Sequence, residues 1–321
     1  RVLFRSELDT EADKVAFDLG INVAELIGGE EGGIMVEAAG GHEIFFEHND
    51  GRIVLVYPHT GRVLVGTTDI NHDMSKPIYC TEEEVDYFFG LVKHVFPTIN
   101  VDRSQIVYRF AGVRPLPKKD DLTPGLISRD YRIEHSELGG AKLLTLVGGK
   151  WTTFRALGAH LCDDSLAIIG ETRKVDTGSL PIGGGKGFPT DQAERDVWTA
   201  EHPQVTRHRA SELLDRYGTR AHAYLVSLGS EPEQMLQHVR NYSRQEIAYV
   251  VTHEFVERVT DLVLRRTLLA FRGSVTTNLL VELADIIGDV RGWSHDQRKE
   301  EVRRAADYLK EHHGLELADA A

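Results

Sequence analysis

Leu146-Val147-Gly148-Gly149-Lys150-Trp151-Thr152-Thr153-Phe154-Arg155 joins an apolar strand to a helix through a glycine pair, a lysine and two hydroxyls. Gly148 and Gly149 let backbone come close to a ligand. Thr152 or Thr153 can serve as the N-cap, and the helix expected over 153–168 aims its first N–H groups at an anion. Lys150 adds a full positive charge at the same point. An ordinary strand-to-helix turn with a satisfied cap has the same texture, so the reading depends on what else the chain brings to it.

Upstream, Tyr108-Arg109-Phe110-Ala111-Gly112-Val113-Arg114-Pro115-Leu116-Pro117 reads as an apolar strand ending in Gly-Val-Arg-Pro. Pro115 restricts Arg114 toward extended backbone, which fixes a guanidinium at a bend. Gly125-Leu126-Ile127-Ser128-Arg129-Asp130-Tyr131 places Arg129 on a further strand, where it either binds a ligand or pairs with Asp130 or a surface acid. Arg114, Arg129 and Lys150 together make a candidate cationic pocket, and arginine suits the forked geometry of a phosphate.

These segments resemble a known family. Gly66-Thr67-Thr68-Asp69 after a hairpin, Ala111-Gly112-Val113-Arg114-Pro115-Leu116, Ile127-Ser128-Arg129-Asp130-Tyr131 and the Gly148–Arg155 stretch occur in the order and spacing of FAD-dependent (aerobic, respiratory) glycerol-3-phosphate dehydrogenase. His253-Glu254-Phe255 and Asp261-Leu262-Val263-Leu264-Arg265-Arg266-Thr267 resemble that family's C-terminal helical domain. The resemblance runs over residues 42–312. It implies an α+β fold: a mixed or antiparallel sheet forming the substrate-cap domain of a flavin oxidoreductase, followed by an all-α C-terminal domain.

The resemblance also implies FAD as cofactor, held in part by Gly148, Gly149, Lys150, Trp151, Thr152 and Thr153. Glycerol 3-phosphate is the implied substrate, contacted by Arg114, Arg129 and Lys150, with Arg114 the first choice for a catalytic role. A hydride would pass to the flavin and electrons onward to a quinone, from a position on the cytoplasmic surface of a membrane. Oligomeric state, including a homo-oligomer, stays open.

Two departures accompany the matches. The family's Gly-x-Gly-x-x-Gly turn for the pyrophosphate of FAD is not found here; Gly28-Gly29-Glu30-Glu31-Gly32-Gly33 has the wrong register, and its two acids repel a pyrophosphate. The family's Lys-Gly-Ser-His turn before the segment matching Ile44-Phe45-Phe46-Glu47 is also missing, so the catalytic base is unassigned and His42 is not promoted to it. Arg1-Val2-Leu3-Phe4-Arg5-Ser6 reads like a translated sequencing-adapter end, which suggests a C-terminal fragment of a longer protein, inactive alone. The expected organisation is an unassigned start over 1–40, a partial FAD and substrate domain over 41–175, and a helical domain over 176–321.

Composition bounds the alternatives. With 321 residues, 41% hydrophobic and 27% charged, the chain can bury a sizeable core in two domains. A net charge of −13 without a long basic stripe argues against nucleic acid, although a cleft can still focus positive field on a phosphate. Two distant cysteines, Cys80 and Cys162, fit a reducing cytoplasm, and no run approaches the length of a membrane span.

Alternation predicts strands over 43–48, 52–57 and 62–68, with a turn at Pro58-His59-Thr60-Gly61. Thr81-Glu82-Glu83-Glu84 predicts a capping box for a helix of Val85, Phe88, Phe89, Val92 and Phe96 that stops at Pro97. Strands are expected again over 104–110, 125–135 and 141–147. Thr177–Gly187 reads as a linker; its Gly183-Gly184-Gly185-Lys186 lacks the spacing of a phosphate loop. From about 190 the period is helical, with Ala248, Val251 and Phe255 on one buried face. His253-Glu254-Phe255-Val256-Glu257 falls one residue short of a zinc motif, and no metal site is expected. Two other readings compete: a flavin amine or amino-acid oxidase, and a non-catalytic helical interaction module.

Overall fold

The computed structural model describes residues 2–4, 44–47, 53–59, 62–68, 70, 72–73, 75–98, 100–113 and 130–317. In chain order the strands are β1 (Val2–Phe4), β2 (Ile44–Glu47), β3 (Ile53–His59), β4 (Arg62–Gly66), β5 (Ile106–Arg109), β6 (Arg132–Leu138) and β7 (Ala141–Val147). The helices are α1 (Glu82–Val95), α2 (Phe154–Ile168), α3 (Gln192–Ala200), α4 (Arg207–Tyr217), α5 (Ala221–Ser227), α6 (Arg244–His253), α7 (Val259–Asp261), α8 (Thr277–Arg291) and α9 (His295–His313).

Five strands pair antiparallel in the order β2-β3-β4-β1-β5. Val2–Phe4, left out of the fold by the sequence reading, thus lie between β4 and β5. β3 also runs further than expected, through Pro58 and His59 to a register of His59 opposite Arg62. Among the described residues β2 pairs with Ile53–Val56, so Pro58 falls beyond that pairing near the end of β3. β4 stops at Gly66, short of the expected residue 68.

Val54, Val56, Val63 and Val65 present one face of this sheet, and α1 covers it with Val85, Phe88, Leu91 and Val92. Full burial of a side chain the size of Phe88 contributes about 1.5–3 kcal/mol. The expected capping box is present: Glu84 N–H donates to Thr81 Oγ1 at 3.3 Å, and Thr81 N–H donates to Glu84 Oε2 at 2.9 Å. The other Glu84 oxygen accepts the Thr68 hydroxyl at 2.5 Å, so the Gly66-Thr67-Thr68 segment is tied to the start of α1.

Cys80 lies in the same core, and burial pushes its thiol up to about 11, whereas Cys162 on α2 is exposed. At pH 8 a disulfide reagent is therefore expected to titrate one thiol in the native protein and both after denaturation. Fast reaction of two thiols in the native protein would refute this.

The last four helices bury Ile247, Val250, Val251, Leu262, Val263, Leu279, Leu280, Leu283, Ile287, Ala305 and Leu309. α7 continues as a π-helical turn over Leu262–Arg266, closed by the Thr267 hydroxyl donating to Leu262 O at 2.9 Å. Phe255 departs from the expected buried face. α6 ends at His253, Phe255 takes a φ of 55° and is 85% exposed, and Val256 is buried in its place. Arg266 donating to Glu254 O at 2.6 Å and Arg291 donating to Val256 O at 2.7 Å hold that turn.

By contact the chain divides into a unit of residues 1–113 with 233–321 and a unit of 114–232. Within the first unit, residues 271–273 and 313–314 pack on β5. Within the 114–232 unit, α4 and α5 bury Ala210, Leu213, Leu214, Tyr224 and Leu225. The Thr177–Gly187 stretch has no regular structure, but it is not loose: the Thr219 hydroxyl donates to Gly184 O at 3.0 Å and to Lys186 O at 2.8 Å.

Candidate functional site

The site is built on a hairpin. β6 and β7 pair from Arg132 opposite Val147 to Leu138 opposite Ala141, and Gly139 and Gly140, with φ of 59° and 85°, make the two-residue turn. Of the strand expected over 125–135, residues 132–135 lie in β6, which runs on to Leu138, and residues 125–129 lie outside the described residues.

Beyond Val147 the chain turns through Gly148 and Gly149, with φ of 78° and 111°. A Cβ on Gly148 would sit 2.8 Å from Asp130 O, so backbone meets backbone there. On Gly149 a Cβ would lie 3.5 Å from Leu157 Cδ2 and 3.7 Å from Tyr131 Cβ, so its backbone angle, not space, demands glycine. Gly148→Ala is expected to cost about 1–3 kcal/mol through strain and contact, seen as a lowered melting temperature. An unchanged melting temperature would contradict it.

Lys150 to Thr153 close a tight turn. Thr153 N–H and Thr153 Oγ1 both donate to Lys150 O at 3.0 Å, and Lys150 N–H donates to Thr153 Oγ1 at 3.3 Å. Trp151–Thr153 form one 3-10 turn, and α2 follows from Phe154. Thr153 stands at the N-cap position but makes no cap hydrogen bond, contrary to the expectation that Thr152 or Thr153 caps the helix. Its hydroxyl is committed to the Lys150 backbone instead. The N-terminus of α2 is thus not capped by a side chain, and exposed Lys150 stands next to it.

Gly148, Gly149, Lys150, Trp151, Thr152 and Thr153 are brought together as expected, on one turn between β7 and α2. Arg114 and Arg129 lie outside the described residues, as does Asp69. The α2 and β6–β7 layer buries no residue of α2, and Leu143, Leu146 and Phe154 are 44%, 41% and 50% exposed.

The sequence reading passes over one polar cluster nearby. His135 Nε2 lies 3.1 Å from Asp164 Oδ2, His160 Nε2 lies 3.7 Å from Asp164 Oδ1, and the His160 ring meets Tyr131 edge-on at 5.8 Å. The spacing of His160 and Asp164 four apart on a helix was the available signal. Among the described residues no group of three or more His, Cys, Asp or Glu is placed to hold a metal, and no helix is long and apolar enough to cross a membrane.

Comparison with known proteins matches this arrangement in two parts. Residues 30–163 match the family model described as FAD dependent oxidoreductase, and residues 175–298 match the C-terminal domain of alpha-glycerophosphate oxidase. A glycerol-3-phosphate dehydrogenase of Synechocystis is 26% identical over 271 residues, 82% of this chain and 48% of that protein. The aerobic glycerol-3-phosphate dehydrogenase of Escherichia coli is 30% identical over 227 residues, 69% of this chain and 44% of that protein. D-erythritol 1-phosphate dehydrogenase of Brucella abortus is 28% identical over 233 residues, 71% of this chain and 46% of that protein.

The glycerol-3-phosphate dehydrogenase of Bacillus halodurans, solved in complex with FAD, shares the fold with a TM-score of 0.65 at 20% identity, over 84% of this chain and 53% of that one. The chain spans about half the length of the curated relatives it matches. The chain thus carries a match to the FAD dependent oxidoreductase domain followed by one to the C-terminal domain of alpha-glycerophosphate oxidase, and it is similar to glycerol-3-phosphate dehydrogenases across 82% of its length.

Proposed function

We propose that the whole protein oxidises the secondary alcohol of glycerol 3-phosphate to dihydroxyacetone phosphate, with FAD as hydride acceptor and a quinone as the final electron acceptor. The observation that carries the reading is the Gly148–Thr153 turn, where closely approaching backbone, a helix start without a side-chain cap and Lys150 coincide. FAD, when bound, supplies a ring that accepts the hydride.

The residues present fit the ring end of that cofactor. The start of α2 carries roughly half a positive charge, and Lys150 beside it adds to the field that favours an anionic ring edge. The glycine turn for the pyrophosphate is not in this sequence, so the fit concerns the ring end alone. The β6–β7 hairpin serves as part of the substrate cap. Arg114 contacts the substrate and polarises the developing ketone or orients the phosphate, and Arg129 and Lys150 bind the phosphate. The protein works from a membrane surface as a peripheral protein.

The test is dye-linked oxidation of glycerol 3-phosphate, run with added FAD on the 321-residue chain and on the chain extended to the length of its relatives. The extended protein is expected to be yellow and active and the shorter one inactive. D-erythritol 1-phosphate is the control substrate; a clear preference for it would move the reading to a longer polyol phosphate. A colourless, inactive extended protein that folds normally would overturn it.

A further inference from the structure

The β6–β7 hairpin and α2 both belong to the 114–232 unit, and the Gly148–Thr153 turn is the chain that joins them. α2 has 15 residues and buries none of them, so apolar burial does little to set the direction in which it leaves the turn. Polar contacts with β6 take that part. Tyr131, just before β6, meets the His160 ring edge-on at 5.8 Å, and His135 Nε2 on β6 lies 3.1 Å from Asp164 Oδ2. The two contacts follow the same order along β6 and along α2. Asp164 stands ten residues beyond Phe154, a lever of about 15 Å along the helix axis. A contact there restrains the tilt of α2 more than one at Leu157 or His160, which lie nearer the turn.

The chemistry of the pair narrows how it acts. An ionised carboxylate only accepts, so the His135 proton in this contact lies on Nε2, and Nδ1 is the position that gains or loses a proton. The hydrogen bond therefore holds with the ring neutral or charged. His160 Nε2, 3.7 Å from Asp164 Oδ1, is beyond hydrogen-bond reach and adds an ion pair only when its ring is charged. Neighbouring charges are committed elsewhere: Asp163 accepts from Arg173 at 2.8 and 3.1 Å, and Glu137 pairs with Lys142 at 2.6 Å.

We propose that the His135–Asp164 hydrogen bond fastens α2 to the hairpin and thereby sets the geometry of the Gly148–Thr153 turn, which makes Asp164 a positioning residue. The fastening rests on contacts within one unit; its bearing on the cofactor rests on the proposed function.

The test is hydrogen exchange of the 321-residue chain, read at the amides of 148–168, with the α4 and α5 amides as a folding control. Asp164→Ala and His135→Ala are each expected to speed exchange in α2 about fivefold, the size of one net hydrogen bond between partly exposed partners, while α4 and α5 stay protected. The direction is informative at Asp164, because alanine is the better helix former and would by itself slow exchange. Asp164→Asn, whose amide oxygen still accepts from His135 Nε2, is expected to return α2 to within about twofold of native. The double alanine variant should exchange no faster than either single one, since both remove the same bond. His160→Ala should change exchange by less than about twofold.

In the protein extended to the length of its relatives, the FAD dissociation constant is measured for the same variants. Asp164→Ala is expected to raise it severalfold and Asp164→Asn to restore it. Unchanged α2 exchange in His135→Ala, or no recovery in Asp164→Asn, would overturn the fastening. If Asp164→Ala also loses protection in α4 and α5, His135→Ala decides, because it leaves the sequence of α2 intact. Faster exchange with an unchanged FAD constant would overturn the positioning role. If the native extended protein binds no FAD, the proposed function fails, while the exchange data still decide the fastening.

Discussion

Gly218→Ala is expected to destabilise the 114–232 unit by about 2–6 kcal/mol, the sum of a strained backbone at ~1–3 kcal/mol and an overpacked contact at ~1–3 kcal/mol. Gly218 holds φ 60° and ψ −153°, a conformation essentially reserved for glycine, at the end of α4. A Cβ there overlaps Gly184 O, and one on Gly184, itself at φ 84°, overlaps Tyr217 O. Backbone occupies both sides of the contact, so no side chain can move to relieve it.

Gly184→Ala should therefore cost a similar amount, and the double variant less than the sum, because both substitutions break one contact. Gly187, at φ 66° with nothing near a built Cβ, is the control, with an expected cost of about 1–2 kcal/mol from handedness alone. Urea denaturation measures all four. Gly218→Ala within 1 kcal/mol of the control variant would show that the glycine run is not held as described.

Arg114→Ala is expected to lower kcat/KM for glycerol 3-phosphate by roughly 10²–10³-fold in the extended protein, the range for removing one charged stabiliser of a developing oxyanion. Arg114→Lys should recover only part, because a lysine keeps the charge and loses the fork. The split between constants assigns the role. A fall in kcat and kcat/KM together places Arg114 on the developing ketone, and a raised KM with kcat unchanged places it on the phosphate. Activity within threefold of native would remove Arg114 from the site.

Local chemistry accounts for what could be read in advance. The capping box at Thr81 and Glu84 and the apolar spacing of Val85, Phe88 and Val92 are contained in a few residues, so α1 was legible to its ends. β7 agrees with its expected span for the same reason, bounded by Gly139-Gly140 and Gly148-Gly149. The Gly148–Thr153 stretch was legible as a tight strand-to-helix turn because its glycines, lysine and hydroxyls are adjacent in sequence.

What was missed depends on partners far along the chain or on single backbone angles. Composition marks Gly183–Gly187 as a linker, yet Thr219 and the Gly218 backbone hold it in place. The helical period carries Phe255 onto the buried face, but α6 stops two residues earlier and a positive φ turns the side chain outward. Thr153 has the right residue type for a cap, and its hydroxyl found the Lys150 backbone first. Nothing local to Tyr108 or His313 announces that they stack.

That last contact has a consequence for how the protein is made. Tyr108 and His313 are 205 residues apart. At a synthesis rate of about 5–20 residues per second, β5 leaves the ribosome about 10–40 s before the histidine that will grip it exists. During that interval its Ile106-Val107-Tyr108 edge lacks its late-made partners and is open to wrong pairing, the hazard of structures that close through distant contacts. Yield in a cell should therefore respond to chaperone supply and to slower growth temperature more than the stability of the finished fold would suggest.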